Sequence, residues 1–224
     1  MVCSRCPRAR AQAYLSRRSA AEVVRRSIDF VGAAALLALL SVPMLVIAAA
    51  VRLEDRGPAL FRQERVGMGG RRFTMLKFRT MTVGVTDDAL RDLIERELNG
   101  EETTTEGSSK LNGDKRVTRV GAVLRRTSLD ELPQLFNVLN GQMALVGPRP
   151  CLGWEAKLFP AEYAARFTVR PGLTGLWQVS GRSTLGTLDM LRLDIQYVRT
   201  RTLWMDLAIL LRTLPALLRR DGAR

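Results

Sequence analysis

The sequence contains no histidine. That absence excludes a Ser-His-Asp triad, a Cys-His nucleophile pair and any His-ligated metal. A general base must then be a carboxylate, a lysine, a tyrosine or a cysteine. Lysine is scarce as well: Lys77, Lys110, Lys115 and Lys157 are the only four among 35 basic side chains. Cysteine occurs three times, as Cys3, Cys6 and Cys151. Cys3-Ser4-Arg5-Cys6 is a lone C-x-x-C with no second ligand pair nearby, so it does not support a zinc or redox site. An odd count without a disulfide framework fits a reducing compartment.

Arginine is what the chain has in abundance. The 35 basic residues stand against 22 acidic ones, for a formal net charge of +13 over 224 residues. Such a balance points to anionic partners: nucleic acid, anionic lipid or phosphorylated substrates. Composition does not choose among them. A planar guanidinium suits bidentate phosphate binding, although codon bias would enrich arginine equally.

A long uncharged run is also present, from Phe30 to Val51. As a straight helix it would reach about 30 Å, enough to cross a bilayer. Two details speak for another topology. Ser41-Val42-Pro43 lies at its centre, and proline removes a backbone donor and clashes with the preceding turn. Both flanks are basic, with Arg17, Arg18, Arg25 and Arg26 before the run and Arg52, Arg56, Arg62 and Arg65 after it. The positive-inside rule then assigns no orientation. A re-entrant hairpin broken at Pro43, with Ser41 meeting freed backbone groups, satisfies both flanks. A spanning helix stays open on the residues alone.

The expected organisation is a basic disordered tail over 1–21, a membrane-associated helix over 22–56 and a domain over 57–224. Ala59–Val66 and Arg72–Met81 alternate around Gly67-Met68-Gly69-Gly70, which predicts a β-hairpin. Helices are expected over Asp87–Leu98, Val117–Arg126, Glu131–Leu139, Trp154–Phe167 and Leu188–Arg199. Asn99–Asp114 and Arg170–Gly175 read as loops, and Leu176–Val179 as extended. Leu203–Arg220 is either an interfacial amphipathic helix or a terminal core helix. The fold class is α+β, mostly helical.

The richest chemistry lies in Arg125-Arg126-Thr127-Ser128-Leu129-Asp130-Glu131-Leu132-Pro133-Gln134. Ser128 and Glu131 fit an S-x-x-E capping box, which would place Asp130 in the first turn of a helix. Pro133 argues for a later start. Either start puts two carboxylates at a helix N-terminus, where the dipole favours an anion and a nearby phosphate. Arg125 and Arg126 lie just upstream and suit diphosphate neutralisation. Pro148-Arg149-Pro150 fixes the backbone on both sides of one guanidinium. Lys77 and Arg79 are further phosphate candidates. For each of these cations an ordinary solvated surface charge is the competing reading.

Several blocks in order resemble the bacterial sugar transferase family, the monotopic phosphoglycosyl transferases. They are Gly57–Gly67, Lys77–Met81, Arg116–Gly121, Thr127–Asn137, Val146–Pro150, Arg170–Gly175 and Trp177–Arg182. The resemblance covers about residue 22 onward. It implies transfer of a sugar 1-phosphate from a UDP-sugar to polyprenyl phosphate, usually undecaprenyl phosphate, with UMP released, magnesium required and a covalent aspartyl intermediate. Asp130 matches the nucleophile and metal ligand, and Glu131 its partner in deprotonating the lipid phosphate. Arg125 and Arg149, the latter held between Pro148 and Pro150, match phosphate-binding positions. Ser41 and Pro43 match the break of a re-entrant membrane helix, which makes that topology the expected one. The implied setting is the cytoplasmic face of a bacterial inner membrane, with membrane lipids as partners, a homodimer allowed and no nucleic acid. The chain departs from the family at Val42, which separates Ser41 from Pro43, and at Arg166-Phe167, where many members have Arg-His. The minimal form is the expected one, without the multi-helix N-terminal region of larger members. The competing functions are a membrane-anchored anion-binding protein and a glycosyltransferase that releases UDP.

Overall fold

Ala and Leu are strong helix formers, and the run rich in them forms the longest element, α1 (Pro7–Glu54), of 48 residues. The computed structural model describes residues 7–82, 88–99, 101, 117–181 and 185–218. The segment expected as a disordered tail is thus helical from Pro7, and residues 1–6 lie outside the described residues. The expected break at Pro43 is not a loss of helix either: α1 continues through it. The physical reason lies in what holds the two sides together. Leu40 and Met44, before and after Pro43, pack into one cluster with Phe78 and Leu124. The Ser41 hydroxyl donates to the Ala38 carbonyl at 2.8 Å, a local back-bond common in helices.

One stripe of α1 faces the rest of the molecule. Ala33 and Leu37 join a core of Leu135, Val138, Met143, Leu145, Tyr197 and Ile209. Leu40, Met44, Ile47, Ala48 and Val51 continue the stripe against Phe78, Leu124 and Leu132. Steps of three and four residues keep these side chains on one face. Polar contacts secure both ends. Arg26 donates to the Val138 and Leu139 carbonyls, each at 2.6 Å. Glu54 accepts from the Arg119 and Val120 amides at 2.7 and 3.0 Å.

The hairpin forms as expected. β1 (Leu60–Val66) pairs antiparallel with β2 (Arg72–Phe78), and Met68–Gly70 makes a tight turn between them. α2 (Asp88–Leu98) follows. The expected loop beyond it falls largely outside the described residues. α3 (Arg119–Thr127) is capped by the Thr118 hydroxyl, which accepts from the Gly121 amide. It ends at Ser128, the one non-glycine with positive φ (57°) among the described residues. A short 3₁₀ turn (Leu129–Glu131) leads into α4 (Gln134–Leu139), which closes at Gly141 with φ 75°.

Three further expectations need correction. Leu176–Val179 is not extended but forms α6 (Leu176–Ser180). A window that short cannot separate helix from strand by periodicity; here Leu176 and Val179 pack against the core, and the Ser180 hydroxyl bonds the Leu176 carbonyl. The Arg170–Gly175 loop contains β4 (Gly172–Thr174), paired parallel with β3 (Ala144–Val146). The single helix expected over Trp154–Phe167 is divided into α5 (Gly153–Leu158) and a 3₁₀ segment (Ala161–Thr168). Pro160 causes the division by holding Phe159 extended. α7 (Thr187–Thr200) and α8 (Leu203–Leu218) complete a mostly helical fold with small sheets.

Candidate active site

The two carboxylates are carried on the 3₁₀ turn between α3 and α4. The capping box expected there does not form. Ser128 adopts the left-handed conformation that terminates α3, and its side chain makes no cap hydrogen bond to the turn. Backbone contacts set the turn instead: the Glu131 amide donates to the Ser128 carbonyl at 3.2 Å, and the Leu132 amide to Leu129 at 3.3 Å.

Asn137 ties this turn to the hairpin. Its Oδ1 accepts from the Leu76 amide, and its Nδ2 donates to the Thr74 carbonyl and to Gln142. α4 is thereby fixed alongside β2, the strand that carries Lys77. The Lys77 ammonium lies 2.9 Å from Glu131 and 3.9 Å from Asp130. Asp130 is 9% exposed. Burial pushes its carboxyl above the usual range; Lys77 and, more weakly, Arg125 pull it back, and Glu131 adds to the rise. One lysine thus balances two adjacent acids, and the buried one holds its proton more readily than a free aspartate.

The Pro-Arg-Pro loop joins the site through backbone contact. The Gly172 amide donates to the Pro148 carbonyl, and the Gly147 amide to Thr174, both at 2.9 Å. The two chains run so close that a β-carbon on Gly172 would meet the Gly147 nitrogen at 2.1 Å. Glycine is required there by contact, not by dihedral angle. Arg149 and Pro150 line a small cleft together with Lys77, Glu131, Arg65, Gln134 and Gln178. The Arg149 guanidinium also lies 5.8 Å over the Trp177 ring. Behind the loop, Arg166 donates to the Arg149 carbonyl at 2.9 Å and to Asp194 at 2.7 Å. Arg166 and Asp194 side chains are 2% and 1% exposed, and burial pushes Asp194 up to about 6.

The structure therefore brings Asp130, Glu131, Lys77, Arg149 and Pro150 together, with Arg125 close enough to act on Asp130. Arg79 is engaged elsewhere. It is buried at the end of α1, pairs with Asp55 at 3.3 Å and donates to the Asp55 carbonyl, against Gly57. Arg65, Gln134, Trp177 and Gln178 escaped selection from the sequence. Gln178 and Trp177 lie in a motif block that resembles the family, and Arg65 in an alternating strand, but neither pattern marks a side chain for a cleft. Among the described residues no group of three or more Cys, Asp or Glu is placed to hold a metal ion. Adjacent carboxylate oxygens nonetheless suit Mg²⁺, which commonly takes one or two carboxylates and completes its shell with water and substrate phosphate.

The family model for bacterial sugar transferases matches residues 20–220. The chain belongs to the bacterial sugar transferase family. It is 45% identical over 214 residues to a UDP-glucose:undecaprenyl-phosphate glucose-1-phosphate transferase of Caulobacter vibrioides, covering 92% of this chain and 74% of that protein. It is 40% identical to the exopolysaccharide production protein ExoY of Rhizobium meliloti, covering 90% of this chain and 88% of that one. It is also 40% identical to the undecaprenyl-phosphate galactose phosphotransferase of Salmonella typhimurium, covering 96% of this chain but 44% of the longer relative. The carboxylate pair, the Pro-Arg-Pro loop and the Trp177 segment all lie within the matched span.

Proposed function

We propose that this sugar transferase moves a sugar 1-phosphate from a UDP-sugar to polyprenyl phosphate, releasing UMP and initiating polysaccharide assembly. The observation that carries the reading is Asp130: a buried carboxylate paired with Lys77, beside Glu131 and the Arg149 cleft. Its oxygen attacks the β-phosphorus of the donor. The bond to the bridging oxygen breaks, UMP leaves with that electron pair, and the sugar phosphate rests on Asp130. An oxygen of the lipid phosphate then attacks the same phosphorus and restores the carboxylate. Glu131 takes the proton from the incoming lipid phosphate. Lys77 opposes the protonation that burial favours at Asp130, and Arg149 and Arg125 neutralise phosphate oxygens. Mg²⁺, held through Asp130 when bound, would supply further charge neutralisation at the phosphates.

The same proposal places α1 on one side of a membrane as a re-entrant anchor. The helix is apolar enough over Ala20–Glu54 to cross a bilayer. Yet Arg26, before the uncharged run, and Glu54, after it, about 42 Å apart along a straight helix, both bind the same domain. Its outward face exposes Val31, Leu39, Val42, Leu45, Val46 and Leu53, and α8 exposes Trp204, Leu211 and Leu214. Exposed apolar side chains of this kind are suited to lipid. We place the charged flanks on the cytoplasmic face, where nucleotide sugars are available.

Nucleotide release tests the reading. Wild-type protein with Mg²⁺, undecaprenyl phosphate and a panel of UDP-sugars is expected to form UMP. Asp130→Asn should lower that rate by at least about 1,000-fold. Formation of UDP would instead mean ordinary glycosyl transfer.

A further inference from the structure

A cavity of about 440 Å³ lies between α1 and α8, within the size range of small-molecule sites. Its apolar lining comes from three elements: Ile28 of α1, Ala144, Leu145 and Val146 of β3, and Leu207 and Leu210 of α8. None of these residues lines the cleft around Glu131 and Arg149. The cavity is open: Ile28 is 48% exposed, Leu207 44%, and Trp204 at the same opening 80%. Ile28 stands two residues before the uncharged run begins at Phe30, so the cavity sits where α1 enters the lipid. Tryptophan is at home at that level. Helical spacing continues the apolar rim outward, from Ile28 to Val31 on α1 and from Leu207 to Leu211 and Leu214 on α8, all of them exposed.

The polar groups at the cavity's edge are already matched. Three arginines, Arg25, Arg170 and Arg201, accompany three carboxylates, Glu22, Asp29 and Asp206. Arg25 pairs with Asp206 at 2.8 Å and with Glu22 at 3.1 Å, and Arg201 pairs with Glu22 at 2.7 Å. Arg170 donates to the Gly141 carbonyl at 3.1 Å. The edge of β3 is taken as well: the Leu145 amide donates to Asp29 at 2.8 Å, and the Tyr197 hydroxyl to the Val146 carbonyl at 3.2 Å. A peptide strand laid here would find no backbone partner on β3, and unpaired buried backbone groups are costly. A hydrocarbon chain has no such groups to satisfy. A monoester phosphate, as on a polyprenyl carrier, calls for arginines not already matched by carboxylates. A phospholipid with a zwitterionic head brings a phosphate and an ammonium together, and an edge with both signs in equal number suits that pair.

We propose that this cavity holds one acyl chain of a zwitterionic bilayer phospholipid, whose head lies among the paired charges and which ties α1 to α8. The inference rests on the membrane anchoring proposed above and is independent of the transfer reaction.

The full chain is purified in mild detergent, exchanged with phosphatidylethanolamine, phosphatidylglycerol or undecaprenyl phosphate, and weighed by native mass spectrometry. One phosphatidylethanolamine should be retained per chain. Leu207→Glu brings a carboxylate into the apolar cavity and should lower that retention at least about 10-fold. Leu211→Glu adds the same charge one turn further along α8, outside the cavity, and should keep the lipid. Circular dichroism checks that both variants keep the helical fold. Phosphatidylethanolamine with brominated acyl chains should quench a fluorescence component that Trp204→Phe lacks, and Leu207→Glu should abolish that quenching. No retained phospholipid, equal losses in Leu207→Glu and Leu211→Glu, or quenching that persists in Leu207→Glu would each overturn the proposal. Tighter retention of phosphatidylglycerol would do so too, as would Leu207-dependent capture of undecaprenyl phosphate, which would give the cavity to the acceptor. A protein absent from the membrane fraction would defeat the anchoring and this inference together. A membrane-bound chain without a retained lipid would defeat this inference alone.

Discussion

Asp130 carries two opposing demands. A nucleophile must be ionised, yet burial favours its protonated form. Lys77, 3.9 Å away, is the main counterweight. An acid whose pKa is raised keeps its proton to higher pH, so activity should disappear on acidification earlier than for a free aspartate. We expect the acid limb of the kcat/KM profile to lie above the ordinary aspartate range, near 4. Lys77→Met should move that limb further upward and lower the plateau; a limb that stays put would remove Lys77 from this role. Asp130 and Glu131 were legible in the sequence because the pair stands at a helix start beside two arginines and inside an ordered motif block. The different fates of Lys77 and Arg79 were not. They sit two residues apart on and just beyond β2, yet Lys77 meets the carboxylates and Arg79 meets Asp55. Spacing could not tell them apart, because their partners come from segments remote in sequence.

At the scale of elements, the site depends on short pieces held by non-local contacts. β3 and β4 have three residues each, too few to pair alone, and rely on the close approach of Gly147 and Gly172. Arg166 and Asp194 join the 3₁₀ segment and α7 behind the Pro-Arg-Pro loop. Removing one partner of a buried ion pair strands the other, at about 3–5 kcal/mol. Asp194→Ala should therefore destabilise the folded protein by that amount in detergent-solubilised denaturation. A combined Arg166→Met, Asp194→Leu variant should recover much of the loss. If the single variant unfolds like wild type, the pair does not support the loop. α6 was missed for the same reason β4 was: its conformation is imposed by packing of Leu176 and Val179, not by its own pattern.

For the whole molecule, the decisive relation is between α1 and the domain. Composition allowed either a span or a one-sided anchor. Contacts on both sides of the uncharged run of α1 favour the one-sided anchor, since a spanning helix would carry one flank across the bilayer. Single cysteines introduced at Ala20 and at Arg56, in a background with native cysteines replaced, should both react with a membrane-impermeant thiol reagent added to inverted inner-membrane vesicles. Neither should react when the reagent is added to intact spheroplasts. Reaction from opposite sides would establish a span and sink the proposed topology.

The sequence by itself determined the apolar helix, the hairpin, the Asp130-Glu131 pair and the family, because these rest on local periodicity, on adjacent residues and on ordered motif blocks. Tertiary structure alone decided which cations serve the carboxylates, that Ser128 ends one helix instead of capping the next, that α1 runs through Pro43, and that Gln178 faces the cleft. Apart from the Ser128 cap, whose amide bonds the turn just before it, those outcomes are set by groups from distant parts of the chain that pack together. No periodicity within a single segment records such packing.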